Sequence, residues 1–491
     1  MNIAIIGGGI GGLAVAYNLA QMANVNQGTP PSITVYEASD RFGGNGDTVN
    51  FQLGTDFNVS PNAPYMRWAD LGVNDFNATA YTRIVAVMQQ IGYTDYAPLE
   101  DSTSYYTLDG SIAYTQGQTS MWTSPMTVMP PHLSAASDAF MAQAAIDATD
   151  PKYASFTVRQ YIEQVFSSNP AYDADLGPKI IYPRINGMYF TDEIAPSELP
   201  LRAVMHYYAI QEGAGGKPAK RMYFVGGASN WINTLTAYMQ NTLGIILVPN
   251  FCAAVENVNG AWNLYNAPPG TSPAGTPVTP DVVVIATHAD DAAKIIRSGA
   301  SAEVLSCLSR VKYLNGMSVA HTFAGMMPPD VNAWSTYNIL IHQEAAYLKP
   351  YTISYVCNRH QNDFANPDYS YFGWPQFFIT VNPPVPIPSQ YVLTDSVTGK
   401  QAIANLRHNV FDFACLSAQN EIQVYQGANN LFFAGGWTIG AGLHEECWHQ
   451  GELIANQIIN GVKTGEHLYD HSRGAAHYAP AYIRKLLHSA K

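Results

Sequence analysis

Residues 444–449 read "HEECWH" and follow a glycine-rich stretch, "FFAGGWTIGAGL". A His-Glu pair in such a place suggests metal or proton chemistry. A zinc hydrolase needs two histidines four residues apart on one helical face, with the glutamate as general base. His444 and His449 are five apart, which turns the second about 140° from the first at 3.6 residues per turn. That misfit removes the zinc reading, and no metal site is expected. The alternative is a helix that begins behind a sharp turn at Gly440 and Gly442, its apolar face running through Cys447, Gly451, Ile454 and Ile458. A carboxylate at its start can cap free N–H groups. It can also act as a general base if burial raises its pKa.

The element that gives this pair a context lies at the other end of the chain. "IAII" (3–6) is an apolar run suited to a buried parallel strand. "GGGIGG" follows and supplies Gly7, Gly9, Gly11 and Gly12, then "LAVAYNLAQM" reads as a helix. Gly7 permits the tight turn, Gly9 lets backbone approach a pyrophosphate, and Gly12 lets the helix pack on the strand. The helix start offers free N–H groups to phosphates. A second strand, "SITVYEAS", ends in Glu37, placed to accept from a ribose hydroxyl. Dinucleotide binding follows from that strand-turn-helix-strand unit.

A chain of 491 residues exceeds one compact core, so more than one domain is expected. Its 47% hydrophobic and 12% aromatic content is that of a folded protein, and the net charge of −13 argues against a nucleic-acid partner. No run is long enough to span a bilayer. "MNIAIIGGG" enters a strand at once, without a leader, so a cytoplasmic location is expected. Cys252, Cys307, Cys357, Cys415 and Cys447 are scattered, odd in number and free of any CxxC pair, which excludes a disulfide framework.

Directly after Glu37 comes "ASDRFGGNGDTV", in which Arg41, Gly43 and Gly44 form an RxGG element. With the preceding unit, this resembles the flavin-containing amine oxidase superfamily, which binds FAD. "MYFVGGASNWINTLTAYM" (222–239), "ILVPNFCAAVENVNGAWNLYN" (246–266), "DVVVIATHADDAAKII" (281–296) and "NNLFFAGGWTIGAGLHEECWHQGELIANQI" (429–458) extend the resemblance over residues 1–462. "ATHAD", "VFDFACLSAQ" and "GLHEE" resemble a subgroup of FAD proteins, some encoded beside or fused to cyclopropane fatty acid synthases. The resemblance implies an α/β fold: a discontinuous Rossmann-like FAD-binding domain (1–75, 218–298, 408–465) joined to an α+β substrate domain. The latter has a helical part (76–217) and a sheet part (299–407), followed by a tail (466–491). It also places Arg41, Gly43 and Gly44 along the pyrophosphate and ribityl chain, Val255 at adenine, and Gly435 and Gly436 at the flavin turn.

In that setting His444, Glu445 and Glu446 stand at the mouth of the flavin turn, with Glu445 assigned to flavin contact and His444 to proton handling. Three departures stand out. Gly436 replaces the glutamate of FAGE, Glu446 and Cys447 replace a small Gly-Ala pair, and no aromatic pair for framing an amine is recognisable. These leave FAD binding intact and an amine substrate unsupported. Asp70 and Asn77 in "RWADLGVNDFN" read as turn residues or as neighbours of the flavin, while His288 and His321 read as packing histidines that could border a pocket. The expected activity is FAD-dependent oxidation of a C–N or C–C bond in a largely apolar small molecule. Redox-neutral isomerisation of unsaturated fatty acyl or isoprenoid chains is the alternative enzyme. A non-catalytic FAD-fold lipid carrier is the alternative outside catalysis.

Overall fold

The computed structural model describes residues 1–25, 30–55, 64–116, 129–189, 196–212, 219–273, 275–342, 352–363 and 375–461. The terminal stretch "YAPAYIRKLLHSAK", read from the sequence as a surface-packed or frayed terminus able to form a short basic helix, lies outside them. A five-stranded parallel sheet forms the first layer, in the order Ile246–Val248, Ser32–Tyr36, Asn2–Ile6, Val282–Ile285, Leu431–Phe433. Ile3 to Ile6 pair with Val282 to Ile285 on one side and with Ile33 to Tyr36 on the other. The apolar residues of the central strands are buried on both faces, as parallel strands covered by helices must be, while the edge strand Ile246–Val248 is partly exposed. They come from the three separate stretches the sequence assigns to one domain.

Helix Ile10–Val25 follows the first strand, and helix His444–Asn460 follows the last. The two pack against each other at backbone distance. A Cβ on Gly451 would lie 2.7 Å from the Ala14 carbonyl carbon. Glycine in a helix interior costs about 1 kcal/mol relative to alanine, so the close approach is its compensation. Residues 246–266 contribute a sheet strand, then the hairpin Ala253–Val258 and Ala261–Asn266, whose turn residues Asn259 and Gly260 both have positive φ. Asn-Gly is the pair such a two-residue hairpin turn prefers.

A second, seven-stranded sheet runs Ile403–Asn409, Tyr313–His321, Phe378–Val381, Ile353–Val356, Tyr337–Leu340, Thr103–Tyr106, Ala113–Gln116. All its pairings are antiparallel except that of Tyr337–Leu340 with Thr103–Tyr106. Two of its strands therefore come from 76–217, which reads as helical by its strongest periodic segments. Those segments do form helices, Thr82–Ile91 and Val158–Gln164. The alternation of "TSYYTLDGSIAYTQ" around an Asp-Gly turn carries the strands between them. Among the described residues no helix is long and apolar enough to cross a membrane.

Replacing Gly451 with valine should force the two buried helices apart. The expected cost is about 1–3 kcal/mol, as for overpacking in other cores. Chemical denaturation should show a lower midpoint, while Gly461→Ala, which meets no neighbour but must hold the left-handed φ of +66°, should cost only about 1 kcal/mol.

Candidate active site

One cavity of about 630 Å³ opens at the carboxyl ends of the parallel strands and continues to the face of the seven-stranded sheet. Ligands of open α/β sheets bind at the carboxyl ends of their strands. At the cavity's amino-terminal corner Gly7 adopts φ +108°, and its N–H donates to the Tyr36 carbonyl at 2.8 Å. A Cβ there would meet the Ala286 carbonyl oxygen at 2.4 Å. Gly9, Gly11, Gly43 and Gly44 line the cavity, and a Cβ on Gly9 would find only Gly44 Cα, at 3.9 Å. That is an open cradle in front of a helix N-terminus, the arrangement a pyrophosphate needs. Gly12 does not line it; its Cβ would lie 2.0 Å from the Gly7 carbonyl oxygen, so it serves packing.

Glu37 lines the cavity and accepts from the Gly8 N–H at 2.7 Å and the Ser39 N–H at 2.9 Å. The glycine cradle and this carboxylate fit an adenine dinucleotide. Two residues expected at the cofactor, Arg41 and Val255, do not line the cavity. Arg41 stands outside the wall, donating to the Gly46 carbonyl at 3.2 Å and pairing with Asp47 at 3.4 Å. It braces the loop that carries Gly43 and Gly44. Val255 is fully buried in the hairpin ladder, its carbonyl accepting from the Arg297 N–H at 2.8 Å. The cavity wall lies earlier in that segment, at Phe251, Cys252 and Ala253.

At the far end, Gly435, Gly436 and Trp437 line the cavity together with Gly442, Leu443, His444 and Cys447. His444 and Cys447 are three residues apart at the start of the closing helix and so share one face. Burial pushes the His444 imidazole down to about 4 and the Cys447 thiol up to about 12, so both are neutral near pH 7. The two intervening carboxylates, both expected at the flavin and Glu445 also as a catalytic candidate, do not line the cavity. Glu445 accepts from the backbone N–H groups of Arg83 and Ile84, at 3.0 and 3.1 Å, and from Arg83 Nη1 at 3.3 Å. It therefore caps helix Thr82–Ile91, whose own preceding residue Tyr81 offers no side-chain cap. Glu446 turns back on its own helix start, accepting from the Leu443 N–H at 3.0 Å, and meets His206 Nε2 at 2.5 Å.

The side of the cavity facing the second sheet holds groups the sequence did not single out. Asp75 is buried and bound by Arg221 Nη1 and the Tyr337 hydroxyl, both at 2.8 Å, and by Gln211 at 3.2 Å. Burial alone would raise its pKa, but Arg221 and His360 outweigh that and hold it at about 2. The Tyr81 hydroxyl donates to Gln211 at 2.8 Å. Nothing in the local sequence joins Asp75, Gln211, Arg221 and Tyr337; they converge from three separate strands and a helix end. The apolar part of the wall is Ile339, Ile353, Ile379, Val381 and Leu406.

Asp70 lines the cavity and caps helix Ala228–Asn241 through the Ala228 N–H at 2.9 Å; burial pushes it up to about 7 against that bond and one from Thr48. Asn77 bonds to the Thr79 and Lys220 N–H groups as a turn brace. His321 bonds to Thr380 and the Phe323 N–H away from the cavity. His288 does line it, near Asp290 and Asp291, whose carboxylates Arg407 and Lys294 already bind.

The sequence profile of the NAD(P)-binding Rossmann-like domain matches residues 5–91. Comparison with curated protein sequences returns no match. Among solved structures the chain is similar to the CLA-producing fatty acid isomerase from P. acnes, with a TM-score of 0.57 and 15% identity, covering 93% of this chain and 98% of that one. It is likewise similar to cyclohexylamine oxidase from Brevibacterium oxydans (0.56, 14%, covering 94% and 99%). Putrescine oxidase bound to putrescine gives 0.55 and 13% over 94% and 99%. The shared property is the fold. This chain has the amine-oxidase type of α/β architecture, a Rossmann-like domain joined to a second sheet domain.

Glu445→Ala should destabilise the protein by about 2 kcal/mol, the upper range for losing a helix cap, since Arg83 also loses a partner. Urea denaturation should show that loss, while any cofactor bound per folded molecule should stay unchanged because Glu445 does not reach the cavity.

Proposed function

We propose that the protein is an FAD-dependent oxidoreductase acting on a largely apolar small molecule. The observation that carries this reading is the single cavity that joins the dinucleotide cradle to an apolar sheet wall. The cradle at Gly9 and Gly44, with Glu37 beside it, would hold the adenosine diphosphate part. The turn at Gly435 and Gly436 and the start of the closing helix would hold the flavin ring. A helix N-terminus there directs positive partial charge at the ring edge that becomes negative on reduction. Bound in this place, FAD would supply an acceptor for a hydride from a C–N or C–C bond.

The chain's own part is positional and protonic. The tyrosine and isoleucine side chains exclude water from the substrate half of the cavity, which strengthens every electrostatic interaction inside it. His444 faces the cavity as a neutral imidazole with no hydrogen-bond partner among the described residues, so one ring nitrogen can accept a substrate proton. Net oxidation would pass the electrons to oxygen or another acceptor. Redox-neutral double-bond isomerisation is the second reading, favoured by the aliphatic wall and by the fold shared with a fatty acid isomerase. The sequence resemblance to FAD proteins encoded beside cyclopropane fatty acid synthases agrees with an apolar-chain substrate.

Anaerobic absorbance at about 450 nm, on purified protein mixed with amines, amino acids and unsaturated fatty acids, tests the reading. Lasting bleaching by one class is expected for oxidation, and product without lasting bleaching for isomerisation. A protein that carries no flavin band and takes up no FAD would sink both. His444→Gln should keep the cofactor and lower kcat by roughly 10²-fold. Because the folded His444 pKa is depressed, the neutral base is lost only as pH falls through about 4. The wild-type kcat/KM profile should therefore fall near pH 4, and the variant should lack that limb.

A further inference from the structure

The substrate half of the cavity is bordered by a chain of hydrogen bonds whose direction is fixed at every step. It is anchored at Asp75, whose side chain is almost fully buried. Against the upward push of burial, Arg221 and His360 keep this carboxyl ionised, with a pKa of about 2. An ionised carboxylate only accepts, so each neighbour bonded to it must donate. Arg221 Nη1 and the Tyr337 hydroxyl do so at 2.8 Å, and Gln211 Nε2 at 3.2 Å. With its Nε2 turned to Asp75, Gln211 leaves its Oε1 for Tyr81. The Tyr81 hydroxyl must therefore donate to it, at 2.8 Å.

Tyr337 and Tyr81 thus each commit their single proton to the protein. A phenol in that condition has only lone pairs left for a ligand. Both tyrosines line the cavity, and no donor among the described residues reaches either oxygen. Burial, with the Asp75 charge alongside, pushes both phenols far above their ordinary pKa, so neither loses its proton. Tyr337 also shares its strand face with Ile339, two residues on, which joins the acceptor pair to the aliphatic part of the wall.

Resting on the oxidoreductase reading above, we infer that the polar group of the substrate is a hydrogen-bond donor, an alcohol or an amine, received by the Tyr337 and Tyr81 oxygens. A carboxylate or an ether in that place would set lone pairs against lone pairs and leave buried acceptors unmatched. Sites built to meet a substrate O–H or N–H reject the analogue that lacks it. The free carboxylate of a fatty acid is therefore turned away from these two oxygens. Asp75 and Gln211 act through the tyrosines as positioning residues, setting the direction of both hydroxyls.

The test is calorimetric binding of heptanol, heptylamine, heptanoate and hexyl methyl ether to the protein as purified. The ether has the size of heptanol but no donor. Wild type should bind heptanol and heptylamine about tenfold more tightly than the ether or heptanoate. Asp75→Asn should invert the site. It keeps an oxygen for Arg221 but turns an amide N–H towards Tyr337, whose hydroxyl must then accept and aim its own proton into the cavity. That variant should bind the ether at least as tightly as heptanol, a reversal that mere loosening of the site does not produce. Tyr337→Phe, which leaves the Asp75–Arg221 pair in place, should bring heptanol to within about threefold of the ether.

Tightest binding of heptanoate by wild type would assign this part of the cavity to an anion met by Arg184, which also lines it, and would overturn the inference. Equal affinity for heptanol and the ether, no binding of any probe, or folded variants that keep the wild-type preference would overturn it as well. Calorimetry does not depend on colour. Donor selectivity in a protein without a flavin band would uphold the inference and refute the cofactor reading, and a flavin-bearing protein without that selectivity would do the reverse.

Discussion

The structure depends on one constraint, that several backbone segments meet without side chains between them at the carboxyl ends of the parallel strands. Gly7 lies against the Ala286 carbonyl, Gly12 against Gly7, and a Cβ on Gly11 would stand 2.8 Å from Gly435 Cα. Three strands distant in sequence are thereby pinned together at one point. The first and closing helices start from that point and pack on each other through Gly451 and Ala14. Both helix N-termini consequently face the same cavity, one at each end of the space a dinucleotide would span. Any side chain inserted at the junction would separate the strands and misdirect both helices.

The first turn of the closing helix divides its work among four consecutive residues. Each residue is rotated about 100° from the last, so His444 and Cys447 share a face while Glu445 and Glu446 leave it. Glu445 reaches out to start helix Thr82–Ile91 of the substrate side, and Glu446 secures its own turn and meets His206. Burying such carboxylates is costly unless N–H donors or cations surround them, and here they do. The acidic pair thus ties the closing helix to helices Thr82–Ile91 and Leu201–Tyr207, while His444 and Cys447 face the cavity.

Much of the glycine-lined corner of the cavity is legible in the sequence. Gly7, Gly9, Gly11 and Glu37 line one corner of the cavity together, because the strand-turn-helix-strand pattern that carries them is local and its spacing is set by a tight turn. Arg41 and Val255 illustrate the limit. Each lies next to the expected segment, but side-chain direction and ladder pairing decide which atoms reach the cavity. The strand pair Thr103–Tyr106 and Ala113–Gln116 is masked in the sequence because the flanking helices carry the stronger periodic signal.

The sequence by itself determined the Rossmann-like class and the glycine turn after the first strand. These follow from period, turn chemistry and steric necessity, all short-range properties. Only the tertiary structure decided that His444 faces the cavity and Glu445 does not, and that Asp75 meets Arg221 and Tyr337. Those facts depend on which face of an element its neighbours cover and on the pairing of strands far apart in the chain. No window of the sequence contains that information, because the packing of the whole chain selects it.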